Sequence, residues 1–577
     1  MTTILLVMAG TSILLAFRTP TFDFDEALYR RVAEEMKASH HYGAMTWDGR
    51  PFLEKPPTYV WMIVGCSRLI DGNSAAVSVI ASRLPSLIFS TLTVLLLSLF
   101  WRRFSPSYAA AFGVRSDSVA LSGRLPPIAF GAALFPMVQV TSVLLDPMLT
   151  FFTTIVLLVF CAAFLQRETE SLHLSGGQIA AAAVGMAGAV AVKGLIGFVA
   201  PAVALVAHEL LSTLDEKSRP RFAGLRRRLL GSARGVVPVF VIATAVSIIA
   251  FSVFYWFAGS AFLYEFLIRQ HFVRGARALQ GHRGPMVYYV LLLFVGGPVS
   301  AFTCVMLGVR KQTRWPFMRW GFPLSWSAGL IAFISLLATK LPNYTWPAWP
   351  AIALSLCILF LEKEGGSGLK VPAKVCGWAG VVAASFLSAL AIGVSFGLDE
   401  ITRHEAPSTR AHALLSSFTP FPPIVRLGLI LLGLAFAAQA LLQFQFLRRV
   451  AEDATALWKI LIAAAAVNCV ILLIATSAVV PFMNQTIQAP LVRIAHLASS
   501  HSSPQEELTT IGLFSPTISS NYSGSRLTQV GTQSSTKALL ITPVWRSQIC
   551  RQSPFTVAER DGYLLLCAPS KDSPSLR

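Results

Sequence analysis

The sequence predicts an all-α polytopic membrane protein that carries a small strand-containing domain at its C-terminus, and three observations predict it. Of 577 residues, 54% are hydrophobic and only 13% are charged, too little polar surface to cover a globule in water. The apolar residues gather into runs near the ~20 that a hydrocarbon core of ~30 Å demands of a helix. The net charge of +19 sits mainly in alternate connections between those runs, the distribution of the positive-inside rule. A membrane thus accounts for the basicity, and no nucleic-acid partner is implied.

In chain order, about thirteen spans are expected, near 3–17, 76–100, 123–143, 147–165, 177–192, 195–212, 234–258, 286–308, 321–339, 345–361, 375–397, 424–444 and 459–480. The first is read as a retained anchor, or as the product of a start placed too late, rather than a signal peptide, because no basic start precedes it and "LLAFRTP" offers no small-residue cleavage site. The run 177–212 exceeds one span and is read as a hairpin turning at Lys193-Gly194. With the first span running outward, the connections holding Arg102-Arg103, Arg226-Arg227-Arg228, Arg310-Lys311 and Arg448-Arg449 become cytoplasmic. The outside segments are then 18–75, 259–285, 398–423 and everything after 481. The chain divides into a membrane body, 1–481, and a tail, 482–577, that opens with a helix over Gln488–Ala498. The runs "TTIGLF", "RLTQVG", "KALLITPVW" and "GYLLLCA" follow as short strands. Six of the eight cysteines lie in or beside apolar spans as packing residues. Cys550 and Cys567 share the tail, and spacing alone leaves their pairing open.

The outside segments hold the conspicuous polar groups. In 18–75, Leu28, Val32 and Met36 stand at helical spacing, so the stretch from Asp25 predicts an amphipathic helix along the interface. Asp25 opens it, a position for either a helix cap or a working carboxylate. Asp23-Phe24-Asp25 imitates a metal-binding Asp-x-Asp, but the match is short and common. Asp146, in "TSVLLDPMLTFFTT", lies at a span boundary as an interfacial cap before Pro147 or as a functional carboxylate. "PFLEKPPTY" holds Glu54 and Lys55 on a proline-stiffened loop. His271 stands among Arg269, Arg274, Arg277, His282 and Arg283, cations suited to a phosphate or to lipid headgroups. "ATKLPNYTWPAWP" puts Lys340, Asn343, Tyr344 and Trp346 at an outer span end. There is no Walker-type or G-x-G-x-x-G motif before a helix, so neither ATP nor a dinucleotide is expected.

The ordered set "DFDEALYRRVAEEM", "PFLEKPPTYVW", "RLPSLIF", "LLDPMLTFFTT", "AVKGLIGFVAP", "RQHFVRG", "HRGPMVYYV" and "TKLPNYTWPAWPAIAL" resembles the GT-C membrane glycosyltransferases. Within them it is similar to the bacterial lipid A aminoarabinose transferases and the protein O-mannosyltransferases. The resemblance covers nearly the whole chain. It implies a GT-C fold of about thirteen transmembrane helices with periplasmic interfacial helices, in a bacterial inner membrane. It also implies a polyprenyl-phosphate sugar as donor, and lipid A, another envelope glycolipid or a protein as acceptor. By motif match, Asp25, Asp146 and Glu26 are the expected catalytic carboxylates. Lys55, Arg274, Arg277, Lys340 and Tyr344 are the expected donor-phosphate set. Glu54 and His271 match a pair able to share a divalent metal (zinc, magnesium or manganese), which the reaction itself does not require. One departure stands out: many aminoarabinose transferases carry arginine at the x of D-E-A-x-Y, where this chain has Leu28. The sugar therefore stays unassigned. A lipid-linked-sugar flippase and a non-catalytic polyprenyl-phosphate-binding protein are the alternative readings.

Overall fold

The computed structural model describes residues 2–18, 25–114, 122–140, 142–167, 171–215, 221–278, 282–295, 321–364, 372–404, 420–449 and 454–501, with 507–511, 518, 526–530, 539–543, 550, 555–561 and 564–569 of the tail. Asp23 and Phe24, the basic stretch 310–319 and most of the segment 398–423 lie outside the described residues.

The protein is predominantly helical and multi-pass. Among the described residues, eight helical runs are long and apolar enough to cross a membrane, so the expected thirteen are not reached there. Helix α1 (Thr2–Arg18) leads to α2 (Asp25–Ser39), the short antiparallel pair β1 (Thr46–Trp47) and β2 (Arg50–Pro51), and α3 (Thr58–Ile70), then α4 (Val79–Phe112). Next come α5 (Leu125–Gly131), α6 (Leu134–Gln139), α7 (Asp146–Leu165), α8 (Gly176–Lys193), α9 (Ile196–Asp215) and α10 (Arg221–Leu263). After these stand α11 (Tyr288–Val295), α12 (Phe322–Leu336), α13 (Trp349–Glu364), α14 (Pro372–His404), α15 (Pro423–Arg449), α16 (Ala454–Ile474) and α17 (Ala489–His501).

One expected span and one expected outside segment take another form. The run 123–143 is no single helix: α5 and α6 are short and are separated at Ala133, whose backbone is extended at φ −94°, ψ 121°. Pro126, Pro127 and Pro136 remove amide donors from that run, which breaks the continuous ladder. The segment 259–285 is not all loop either. After a kink at Gly259 (φ 71°) the chain continues as a π-helical stretch, Tyr264–Val273, and reaches Ala276 in helical form. This places His271 and Arg274 on a rigid element. Residues 342–348 form a 3-10 turn before α13.

The expected stripe on α2 is buried: Leu28, Val32 and Met36, with Tyr29 and Ala33, pack on Tyr59, Val60, Ile63 and Val64 of α3. α3 itself was not expected, and at about 20 Å its 13 residues are too short to span a bilayer. Arg30–Glu34 and Arg31–Glu35 pair at 3.1 Å on the outer face of α2. The remaining core runs through α4, α7, α9, α12, α13 and α16, around fully buried Trp101, Trp326, Trp346 and Trp349.

A buried ion pair fixes α2 over this body. Arg83 of α4, 1% exposed, reaches Glu26 at 3.0 and 3.3 Å, and Glu26 also accepts from the Val143 amide at 2.9 Å. The Glu26→Gln variant is therefore expected to lower the melting temperature, since losing one member of a buried pair costs about 3–5 kcal/mol. Turnover per folded molecule should hold. Thermal scanning in detergent alongside an active-site-normalised rate checks both.

In the tail, β3 (Glu507–Ile511), β4 (Arg526–Val530), β5 (Leu539–Pro543), β6 (Phe555–Asp561) and β7 (Leu564–Pro569) form one sheet in the order β4-β3-β5-β7-β6. β4, β3 and β5 run parallel, whereas β7 is antiparallel to both β5 and β6. Leu491, Ile494, Ala495 and Ala498 of α17 pack on Ile541, Leu564 and Leu566. Cys550 and Cys567 form a disulfide. The division at 481/482 falls inside a continuous helical run from Ala454 to His501, so the tail's first helix extends the last span.

Candidate functional site

A cavity of about 330 Å³ opens where α2, the 52–55 loop, the start of α7, the α8–α9 turn, the π-helical stretch and the 339–347 segment meet. That size suits a small-molecule headgroup. Its walls differ in kind. Asp25, Glu54, Lys55, Asp146, Lys193, His271, Arg274, Asn343 and Tyr344 supply the polar end, while Ile196, Val199, Leu330, Phe333 and Ile334 of α9 and α12 supply an apolar one.

Asp146 begins α7 and is 2% exposed. Lys193 Nζ lies 2.6 Å from its Oδ1, and Asn343 Nδ2 donates to Oδ2 at 2.7 Å. Both carboxylate oxygens are therefore engaged. The Lys193 ammonium also stands 5.0 Å from the centre of the Tyr344 ring. Sequence reasoning treated Lys193 only as a hairpin break and gave Asn343 no role. The signal available was a lysine and an asparagine at the outer ends of apolar spans, where ionisable groups are expensive.

The α8–α9 turn needs glycine. Gly194 has φ +69°, and a Cβ there would lie 2.5 Å from Phe266 and 2.7 Å from His271. The close approach allows His271 to staple the turn. Its Nδ1 donates to the Phe266 carbonyl at 2.7 Å, and its Nε2 lies 3.1 Å from the Lys193 carbonyl and 3.2 Å from the Leu195 amide. A carbonyl can only accept, so Nδ1 carries a proton. Nε2 faces both a carbonyl and an amide of the turn, so both ring nitrogens are engaged with backbone groups. Among the described residues, no group of three or more His, Cys, Asp or Glu side chains could hold a metal. Glu54 and His271 both line the cavity, and no step here is routed through a metal.

Lys55 Nζ bonds only the Glu54 carbonyl at 3.2 Å among the described residues. Burial first, then the nearby Arg274 cation, lowers its pKa from 10.5 to about 8. Arg274 Nη1 donates to Gln270 Oε1 at 2.8 Å, while its buried Nε has no hydrogen-bond partner. Asp25 keeps one side open to the cavity, but the protein packed around the rest strips enough hydration to raise its pKa. Lys55 opposes that rise and Asp146 adds to it.

The structure thus brings together Asp25, Asp146, Lys55, Arg274, Tyr344, Glu54 and His271. Three expected site residues stay away. Glu26 turns to Arg83 beneath α2. Lys340 Nζ caps the end of α12, donating to the Ser335 carbonyl at 2.7 Å and to the carbonyls of Ile334 and Leu337, because a helix C-terminus leaves acceptors unfilled. Arg277 lies beyond the helical stretch with extended backbone and an exposed side chain.

Residues 133–272 match the family model described as dolichyl-phosphate-mannose-protein mannosyltransferase. The undecaprenyl phosphate-alpha-4-amino-4-deoxy-L-arabinose arabinosyl transferase 1 of Pseudomonas fluorescens is 26% identical over 337 residues, which is 57% of this chain and 54% of that relative. The match thus spans about half the length of that curated relative. Two crystal structures of ArnT from Cupriavidus metallidurans, one bound to undecaprenyl phosphate and one in the apo state, share the fold with TM-scores of 0.66 and 0.65 at 17% and 18% identity. Each comparison covers 98% of this chain, and 97% and 98% of the respective ArnT chain. These matches agree with the resemblance carried by the motifs, and the chain has the fold of the ArnT structures.

Proposed function

We propose that the protein transfers a sugar from a polyprenyl (undecaprenyl) phosphate donor to an acceptor hydroxyl or phosphate, lipid A, another envelope glycolipid or a protein, on the periplasmic face of the inner membrane. One observation carries this reading: a single cavity joins an apolar wall on α9 and α12 to an end bearing Lys55, Arg274 and a carboxylate. A lipid-linked phosphate has that same polarity. The prenyl chain would lie along Ile196, Val199 and Phe333, and the phosphate would meet Lys55, the unfilled Nε of Arg274 and Tyr344.

In transfer to a hydroxyl, the acceptor oxygen bonds to the anomeric carbon as the bond from that carbon to the phosphate oxygen breaks, with inversion. Asp25 takes the hydroxyl proton, and the polyprenyl phosphate leaves as the anion, its added charge met by Lys55 and Arg274. Asp146 holds Lys193 and Asn343 at the same end of the cavity.

Turnover of an undecaprenyl-phosphate-sugar by purified protein, with release of undecaprenyl phosphate, tests the reading. A protein that binds the lipid with no turnover toward any acceptor pool would be a binding protein instead. Mass spectrometry of lipid A, other glycolipids and surface proteins from cells with and without the gene then identifies sugar and acceptor together.

Lys55 adds a pH signature. With its pKa lowered to about 8, the ammonium is charged below that pH and lost above it, so donor affinity should fall as pH rises from 7 to 9. Lys55→Ala should raise KM several-fold with a smaller change in kcat. Lys55→Arg should bind donor with no such pH dependence, because the guanidinium stays protonated. An unchanged pH profile in Lys55→Arg would reject this assignment.

A further inference from the structure

A second cavity lies between other helices of the membrane body. It measures about 810 Å³ and runs between α1 and α4 and over α5, lined by Leu5, Met8 and Ile13, by Leu87, Val94 and Leu95, and by the 122–124 turn. Ile13 and Leu95 are exposed along it, so the groove is open sideways. Its two charged lining residues are Arg102 and Arg124. Both side chains are exposed, and neither has an ion-pair partner among the described residues. Among the described residues, no carboxylate lines the groove.

The turn that carries Arg124 packs on Arg102: Gly123 lies so close to the Arg102 stem that a Cβ there would collide with it. Two like charges lining one groove with no counter-ion among the described residues favour an anion, and guanidinium forks suit phosphate oxygens. Along α4, Arg102 stands 19 residues beyond Arg83, about 28 Å, nearly a full hydrocarbon thickness. The arginine end is therefore at the membrane surface opposite the catalytic cavity. From Arg102 to Leu87 the groove follows α4 for about 22 Å, the reach of an extended fatty-acyl chain.

We propose that this groove binds an anionic glycerophospholipid of the surrounding membrane, its phosphate on Arg102 and Arg124 and one acyl chain between α1 and α4. Basic pockets between transmembrane helices are known hosts for such headgroups. The occupant differs from the glycosyl donor in chain chemistry and in the membrane face at which its phosphate sits.

The experiment uses the full chain in nanodiscs of phosphatidylcholine with and without phosphatidylglycerol, released for native mass spectrometry. Wild type is expected to retain phosphatidylglycerol in preference to phosphatidylcholine. Arg102→Gln/Arg124→Gln should reduce that preference about thirtyfold, from about 1 kcal/mol for each basic residue near a membrane surface. Leu95→Trp, which fills the groove and leaves the charge intact, should lower retention of both lipids. Arg226→Gln/Arg227→Gln, equal in charge change but away from the groove, should match wild type. Loss of the preference in this control as well, no selective retention in wild type, or undecaprenyl phosphate as the lipid retained by Arg102 and Arg124 would each overturn the proposal.

Discussion

Replacing Asp25 with asparagine is expected to lower kcat by about 10³-fold, within the ~10²–10⁴ that a positioned general base contributes, while donor binding survives. The carboxylate opens α2 at the cavity rim, a helix start that favours negative charge. Lys55, Asp146, Arg274 and Lys193 all act on it electrostatically. Asparagine keeps the shape and loses the basic oxygen, so lipid affinity and fold should be near wild type. The pH profile supplies a second readout. Burial raises the Asp25 pKa above its ordinary 3.8, so the base is protonated and idle at low pH, and the rate climbs as pH passes through that raised value. Lys55 then loses its charge near pH 8, so kcat/KM should describe a bell. In whatever activity Asp25→Asn retains, the acidic limb should vanish and the alkaline one remain. Turnover of the purified variant at the wild-type rate would remove Asp25 from the chemistry.

Lys193→Met is expected to cost about 3–5 kcal/mol of stability as well as most of the activity, because it strands a carboxylate that is almost fully enclosed. Asp146 is 2% exposed and the Lys193 side chain 17%. Asn343 still donates to one oxygen, but a neutral amide cannot replace the ammonium 2.6 Å from the other. The double variant Asp146→Asn/Lys193→Met should regain much of the melting temperature by removing the orphaned charge, and should stay inactive. That split identifies a pair used both for packing and for chemistry. A Lys193→Met protein that melts with wild type would show that the pair is solvated and of little weight. Thermal unfolding in detergent and single-turnover kinetics measure the two arms.

Much of the site was legible because its residues are out of place by composition. A carboxylate at the outer end of an apolar run, Asp146, and a lysine on a proline-rich loop, Lys55, stand out in a chain with so few charges. The same logic overreached at Lys340 and Glu26. Both are charged and beside good motifs, but helix-end carbonyls hold the first and Arg83 holds the second. Arg83 arrives from another helix, 57 residues along the chain, whereas the Lys340 acceptors lie three to six residues back and are open only because α12 ends there. His271 shows the same limit: the resemblance pairs it with Glu54, and only the tertiary approach of Phe266, Lys193 and Leu195 sets both ring nitrogens against backbone groups.

What the sequence determined by itself is the membrane body, the amphipathic α2, the hairpin at Gly194 and the strand-bearing tail, because hydrophobic period, glycine and charge distribution act over a few residues. What only the tertiary structure decided is the division of 123–143 into two helices, the helical course through His271, the pairing of Cys550 with Cys567, and the Asp146–Lys193–Asn343 cluster. That cluster joins groups 47 and 197 residues apart along the chain, and contacts of that range depend on how whole helices pack, which no local pattern encodes.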